Sequence, residues 1–318
     1  MKSVASAPGK VILFGEHFVV YSAKAILCSI DKRIKVSSQT IDDQVIKIKS
    51  DIGHVETPID SILNKNIPRS ELMRPFLYIA KNTLQKFKKN TGMEIKIESE
   101  IPVGIGLGSS SASCVAAAAS ITGLFEILSR EEILKLAIEA ERTLFENTSG
   151  ADCSVCTYGG LMQYDTKNGF KKINSNADFD LVISDSKQSH ITGEVVEKVR
   201  RFREDNEDLF ESLYEQEASI VENALYALEK NDLLALGSLM SQNQMLLERI
   251  GVSTDKLALL IKEAKKTTFG AKITGAGGGG CIIALADKSN LKQTLLNLKN
   301  YGESFSAKID YEGLLYTF

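Results

Sequence analysis

The chain has 318 residues, 43% of them hydrophobic and 25% charged, with only 5 prolines; this is ordinary globular composition and excludes a disordered or fibrous protein. Lys and Arg total 38 against 41 Asp and Glu, a net charge of −3, so there is no basic excess for a nucleic acid or an anionic membrane. The length exceeds one small core and predicts two domains.

In chain order, Val4–Phe14 reads as extended, with Pro8 and Gly9 in its middle. Ile26–Ile30, Ile34–Val36 and Val45–Lys49 read as three further strands, and Asp51–Pro68 as loop. Glu71–Lys88 has helical spacing, and Met93 to Ile101 alternates as a strand that stops at Pro102. A Gly/Ser stretch leads into an Ala-rich helix reaching about Leu128. Ser129 and Glu132 have capping-box spacing and open a helix over Arg130–Phe145. A short helix after "NTSGAD" and the strand "LMQYD" follow. The second half predicts helices over His190–Glu204, Asp208–Lys230, Leu233–Ile250 and Thr254–Lys265. Strands Ala271–Thr274 and Cys281–Ala286, a helix Asn290–Leu298 and a strand Ser304–Ile309 complete it. The polar stretch Asp165–Ala177 is the expected boundary, giving domains 1–170 and 171–318.

The longest weakly polar run, Cys114 to Leu128, is broken by Ser120, Thr122 and Glu126 and cannot span a bilayer. The N-terminus lacks the apolar core of a secretory signal. Cys28, Cys114 and Cys281 lie in apolar runs, and the lone Cys153/Cys156 pair has no second pair to complete a metal site. All five are read as small core residues in a reducing compartment, and the protein as cytoplasmic.

Five places carry chemistry. "IPVGIGLGSSSASC" has three glycines and three serines before a helix. It lacks the lysine of the common phosphate loop, and no strand with an acid follows to make a dinucleotide fingerprint. A tight strand-to-helix turn explains one or two of those glycines; the set reads as a phosphate-binding turn over a helix N-terminus. Glu141 falls about 80° from Ile133 on a helical wheel, the one charge inside the apolar arc. It either reaches water from the arc's edge or needs a buried partner, for which a metal ion is a good candidate. Asp152 in "TSGADCSVC" is a first-turn acid or a base for an attacking hydroxyl. Lys10, in an otherwise apolar strand, is an edge residue or is aimed at an anion, and Glu16 and His17 follow it closely. The four consecutive glycines of "KITGAGGGGC" exceed what a hairpin requires and suggest a loop flush against a ligand or another loop.

Together "APGKVILFGEH", "PVGIGLGSSSA" and "KITGAGGGGC" resemble, in order, the three signature motifs of the galactokinase, homoserine kinase, mevalonate kinase and phosphomevalonate kinase (GHMP kinase) superfamily. Within it the chain looks most like the short archaeal mevalonate kinase branch. Galactokinases typically carry arginine at the place of Lys10, and an Asp where this chain has Val19. The resemblance implies an α+β, two-domain fold. The N-terminal domain would be like ribosomal protein S5 domain 2 and hold ATP, and the C-terminal domain would be ferredoxin-like.

It further implies transfer of the ATP γ-phosphate to the 5-hydroxyl of mevalonate, feeding isoprenoid synthesis. Pro102, Gly104, Gly106, Leu107, Gly108, Ser109, Ser110 and Ser111 would hold the triphosphate, and Ser110 and Glu141 a magnesium ion. Asp152 would orient or deprotonate the hydroxyl while Lys10 lowers its pKa. Glu16, His17 and Thr192, with Gly275, Ala276 and Gly277, would line the acceptor side. ATP and the acceptor are the expected partners, with no nucleic acid or membrane; a homodimer is compatible with the resemblance. Four positions depart from the pattern: Thr148 replaces a proline, Phe145 and Glu146 replace His and Gly, and Ser22 replaces Gly. Two alternatives stand beside this reading. One is another small-alcohol kinase of the superfamily, with Arg74, Lys187 and Lys24 as cations for a phosphorylated acceptor. The other is a non-catalytic ATP and metabolite sensor on the same fold.

Overall fold

The computed structural model describes residues 1–64, 73–102, 104–175, 177–189 and 191–317. Its first layer is a mixed sheet of β1 (Lys2–Phe14), β2 (Ala25–Ile41), β3 (Val45–Ser50), β4 (Gly53–Pro58), β5 (Gly92–Ser99), β6 (Leu161–Asp165) and β7 (Gly169–Lys172). The order is β12-β1-β2-β5-β3-β4, with β6 on β2 and β7 on β6; the outermost strand, β12 (Leu315–Thr317), is the returning C-terminus. Helices α1 (Ile59–Asn64), α2 (Arg74–Lys86), α3 (Ser109–Thr122), α4 (Arg130–Arg142) and α5 (Ala151–Tyr158) belong to this part of the chain. The remaining helices are α6 (Thr192–Asp205), α7 (Glu207–Lys230), α8 (Leu233–Arg249), α9 (Asp255–Ala264) and α10 (Leu291–Leu298).

The second sheet contains β8 (Asp180–Asp185), β9 (Thr268–Ile273), β10 (Cys281–Ala286) and β11 (Glu303–Lys308), all antiparallel in the order β11-β8-β10-β9. With α9 before β9 and α10 between β10 and β11, this is the ferredoxin-like arrangement.

Five details differ from the sequence reading. Ile26–Ile30 and Ile34–Val36 are parts of one strand, β2. The register jumps from Pro8↔Arg33 to Gly9↔Ile30, so a bulge opposite the N–H-less proline absorbs the polar interruption. β2 can be that long because its two halves have different neighbours: Ala25–Cys28 pairs with β6 and Ile34–Ile41 with β5. The described part of Asp51–Pro68 contains β4 and part of α1, since a hairpin needs only the turn at 51–52; Pro68 and Glu71 lie outside the described residues, as does His190. The Ala-rich helix stops at Thr122, because Gly123 lies against β1: a Cβ there would sit 2.5 Å from Ser3 Oγ. β12 carries too short an apolar pattern to read. Within the expected boundary stretch, β7 pairs back onto β6.

α3 is the centre of the first layer. Twelve of its 14 residues are buried, and it packs on β1, β2, α2, α4 and α5. Alanine at Ala116–Ala119 lets all those elements approach. All five cysteines are unpaired and buried, and burial pushes each thiol up from its ordinary value. Among the described residues no helix is long and apolar enough to cross a membrane.

Candidate active site

The Gly/Ser stretch leaves β5 and turns through Gly104, Gly106 and Gly108, at φ of 79°, 85° and 73°. Those left-handed values suit glycine. Gly108 then serves as N-cap of α3, whose first backbone bond runs from Ala112 N–H to the Gly108 carbonyl. The N–H groups of Ser109, Ser110 and Ser111 therefore have no intrahelical acceptor and point along the positive end of the helix dipole. Beside them opens a cavity of about 600 Å³. Ile52, Pro75, Phe76, Ile97 and Phe145 form apolar walls, while Pro102, Gly104, Ser109 and Ser110 lie at its border. An apolar chamber ending at unpaired helix N–H groups suits a flat heterocycle carrying a chain of phosphates.

Lys10 is built into this loop from β1. Its N–H donates to the Leu107 carbonyl at 2.9 Å. Its side chain lies across Gly108, where a Cβ would come within 2.7 Å of Lys10 Cγ. That side chain is 6% exposed, and its ammonium reaches Asp152 Oδ2 at 3.0 Å. Asp152 is the second residue of α5 and its side chain is 35% exposed. A strand lysine and a helix-start acid, 142 positions apart in sequence, thus form one ion pair at the border of the Gly/Ser loop.

Glu141 is buried on α4. Ser111 donates to its Oε1; Thr148 Oγ1 at 2.7 Å and Cys153 Sγ at 3.6 Å donate to Oε2. The serine bonded to Glu141 is Ser111, not Ser110. α3 turns Ser111 into the core, while Ser110 stays half-buried with its carbonyl accepting from Ser113. Thr148, which departs from the superfamily pattern, supplies a hydroxyl that a proline lacks. Every partner of Glu141 described here is neutral, and among the described residues no three His, Cys, Asp or Glu side chains cluster to hold a metal. A carboxylate and a serine hydroxyl fit magnesium, a hard cation that takes few protein oxygens and completes its shell with phosphate and water.

The third motif meets the first. Thr274 Oγ1 accepts from Ile12 N–H at 2.9 Å and donates to the Ile12 carbonyl at 3.1 Å. His17 Nε2 lies 2.7 Å from the Ala276 carbonyl, which makes that nitrogen the donor. Burial lowers the His17 pKa, partly offset by this bond. The glycine run packs on other loops: a Cβ at Gly277 would meet the Val252 carbonyl at 2.5 Å, and one at Gly279 the Gln188 carbonyl at 2.3 Å. Gly275 has open space where its Cβ would lie.

Glu16 has a buried charged partner. Both it and Lys272 are buried, and they form an ion pair; burial raises the Glu16 pKa against the opposing pull of Lys272. Glu16 Oε2 is buried with no hydrogen-bond partner. Thr192 is exposed at the first position of α6. Lys272, Glu217 and Asn243 escaped the sequence reading. Only Lys272 had a local signal, a lysine in an apolar strand like Lys10.

The three segments thus meet around the Gly/Ser loop at the start of α3, an arrangement suited to a small-molecule kinase. The model for the N-terminal domain of GHMP kinases matches residues 75–160 and that for their C-terminal domain residues 224–304; the chain belongs to the GHMP kinase family. It is 36% identical to the mevalonate kinase of Pyrococcus abyssi over 98% of this chain and 96% of that protein. Among solved structures, the Methanococcus jannaschii mevalonate kinase superposes with a TM-score of 0.88 at 29% identity, covering 96% of this chain and 98% of that one. A structure described as L. major mevalonate kinase in complex with R-mevalonate gives 0.82 at 27%, covering 96% and 95%.

Proposed function

We propose that this chain transfers the γ-phosphate of ATP to the 5-hydroxyl of mevalonate, releasing ADP. The observation that carries the reading is the Lys10–Asp152 pair at 3.0 Å, set against the phosphate loop by Gly108. Relatives named mevalonate kinase that span nearly the whole chain support the acceptor.

The first-turn N–H groups of α3 and the serine hydroxyls hold the triphosphate. The acceptor oxygen attacks the γ-phosphorus as the bond to the β–γ bridging oxygen breaks, and Asp152 takes the hydroxyl proton. Lys10 lowers the cost of the developing alkoxide and keeps Asp152 aimed. Ser110 and Glu141 would hold magnesium, which when bound neutralises charge on the phosphate oxygens. Glu16, His17, Thr192 and Gly275–Gly277 form the acceptor side. Residues 1–170 and 171–318 act as the two units, except that the returning strand β12 joins the first sheet, and the unpaired thiols suit a cytoplasmic protein.

A phosphorylated acceptor needs spare cations. Lys24 is paired with Glu222, Lys187 with Glu303 and Asp185, and Arg74 donates to the Thr143 carbonyl. That favours the unphosphorylated alcohol.

The test is ADP release from ATP–magnesium with mevalonate, phosphomevalonate, homoserine and galactose. Mevalonate should be preferred; preference for another alcohol, or no turnover, overturns the assignment. Asp152→Asn should lower kcat at least about 100-fold with ATP affinity unchanged.

A further inference from the structure

Behind Glu16 and His17 lies a buried polar network that the phosphoryl-transfer chemistry does not use. Glu217, on α7 and buried, accepts from Gly15 N–H at 2.8 Å through Oε1 and from the Asn243 amide of α8 through Oε2. Lys272, on β9 and fully buried, donates to Glu16 and to the Ile273 carbonyl at 2.7 Å. Gln244, beside Asn243, accepts from Ile273 N–H at 3.0 Å, tying α8 to the same strand. Gly15 itself is cramped: its φ is 97°, and a Cβ would sit 2.5 Å from Ala25 Cα and the Lys24 carbonyl. The turn that presents Glu16 and His17 is thus fixed in front by its own chain and behind by two elements from the other end of the sequence.

Burying two acids and a lysine is expensive. Apolar residues of the same volume stabilise a core as well or better, so such networks make sense where they fix a particular geometry. Here the fixed object is the turn that carries Glu16 and His17: Glu16 keeps one buried oxygen without a hydrogen-bond partner, and His17 holds the glycine loop at Ala276.

We propose that Glu217, acting through Gly15, and Lys272, acting through Glu16, are positioning residues that set the acceptor side of the site without touching the acceptor. The inference rests on the kinase reading above. It assigns α7 and β9 the task of holding the Gly15–His17 turn, and it separates acceptor binding from nucleotide binding, whose loop lies at the start of α3.

The charged groups facing Glu217 are Glu16 and Lys272, with the Gly15 N–H and the Asn243 amide as neutral partners. Burial, then the Glu16 charge, push the Glu217 carboxyl up to about 7. Below that pH the network holds Glu16 and Lys272 as a balanced pair. Above it, a second negative charge sits behind the turn and disfavours an anionic acceptor.

The test uses the full chain with ATP–magnesium and mevalonate. Glu217→Leu, which removes the acceptor for Gly15 N–H, should raise the mevalonate KM about tenfold and leave the ATP KM within about twofold, a change of roughly 1.4 kcal/mol. Glu217→Gln, which keeps that acceptor but cannot ionise, should rescue the KM and flatten its rise between pH 6 and 8. The inference is overturned if folded Glu217→Leu keeps the wild-type KM, or if the ATP and mevalonate values rise together. It is also overturned if Glu217→Gln keeps the wild-type pH slope, a test that stands even where Glu217→Leu does not fold. The His17 imidazole ¹⁵N signal gives a readout independent of turnover: it should move in Glu217→Leu and return in Glu217→Gln, and an unmoved signal sinks the proposal. Wild-type protein inactive on mevalonate would overturn the acceptor assignment instead, and leave the His17 readout to decide this one.

Discussion

A Cβ at Gly108 would lie 2.7 Å from Lys10 Cγ and 3.2 Å from Cε, whereas one at Gly104 meets nothing within 4 Å. Both residues have left-handed φ, 73° and 79°, so alanine at either strains the backbone by about 1 kcal/mol. What differs is the consequence. Gly104 borders the apolar cavity, and its alanine intrudes where the nucleotide is proposed to lie; Gly104→Ala should raise the ATP KM with kcat little changed. Gly108→Ala pushes the Lys10 stem away from Asp152 and should lower kcat at least tenfold. Steady-state kinetics on the two variants separates the effects, and equal losses in both parameters would mean that Lys10 does not depend on Gly108. The same close approach explains why the motif reads as an incomplete phosphate loop in one dimension. Its lysine comes from β1, through a backbone bond to Leu107 and a side chain laid over Gly108.

At the scale of elements, α3 sets the limits. Its alanines are fully buried and contact strands on one side and helices on the other, so an added side chain has no solvent-facing direction to take. Ala116→Leu should cost about 1–3 kcal/mol by overpacking, measured by urea denaturation. The forced shift of α3 should also raise the ATP KM, because Ser109–Ser111 move with it. A loss below about 0.5 kcal/mol would show slack around α3 that its burial does not suggest.

Elements of this kind were legible in sequence because their constraint is local. Close packing demands alanine, a left-handed turn demands glycine, and a capped helix start demands Ser129 and Glu132, whose reciprocal bonds the structure contains. The Glu16–Lys272 and Gly15–Glu217 contacts join positions 256 and 202 residues apart. Nothing in the spacing near either partner records such a bond. β2 was misread as two strands for a related reason: the bulge that lets it continue is set by Pro8 and Gly9 on its neighbour. Ser111 in place of Ser110 beside Glu141 is a matter of helix phase, which a run of three serines leaves open.

At the scale of the molecule, the chain's last residues return to the first sheet and hold the helix that carries Asp152. β12 pairs with β1, and Leu314 N–H donates to the Thr157 carbonyl at 3.0 Å, at the C-terminal end of α5. The Asp310 carbonyl accepts from Gly160 N–H at 2.7 Å and from Ser29 Oγ at 2.6 Å. Arg33 of β2 pairs with the Asp310 carboxylate and donates to the Ser6 carbonyl at 3.0 Å and to that of Gly313. The Asp310 side chain is 7% exposed and that of Arg33 18%, so removing one partner strands a largely desolvated charge. Arg33→Met and Asp310→Asn should each cost about 3 kcal/mol, and the double variant should recover about 1–2 kcal/mol of the summed loss through their coupling. Because α5 is anchored at this end, both single variants should also lower kcat, with the ATP KM less affected. Strictly additive stabilities would show that strand pairing alone holds the tail, and an unchanged kcat would show that α5 keeps Asp152 in place without it.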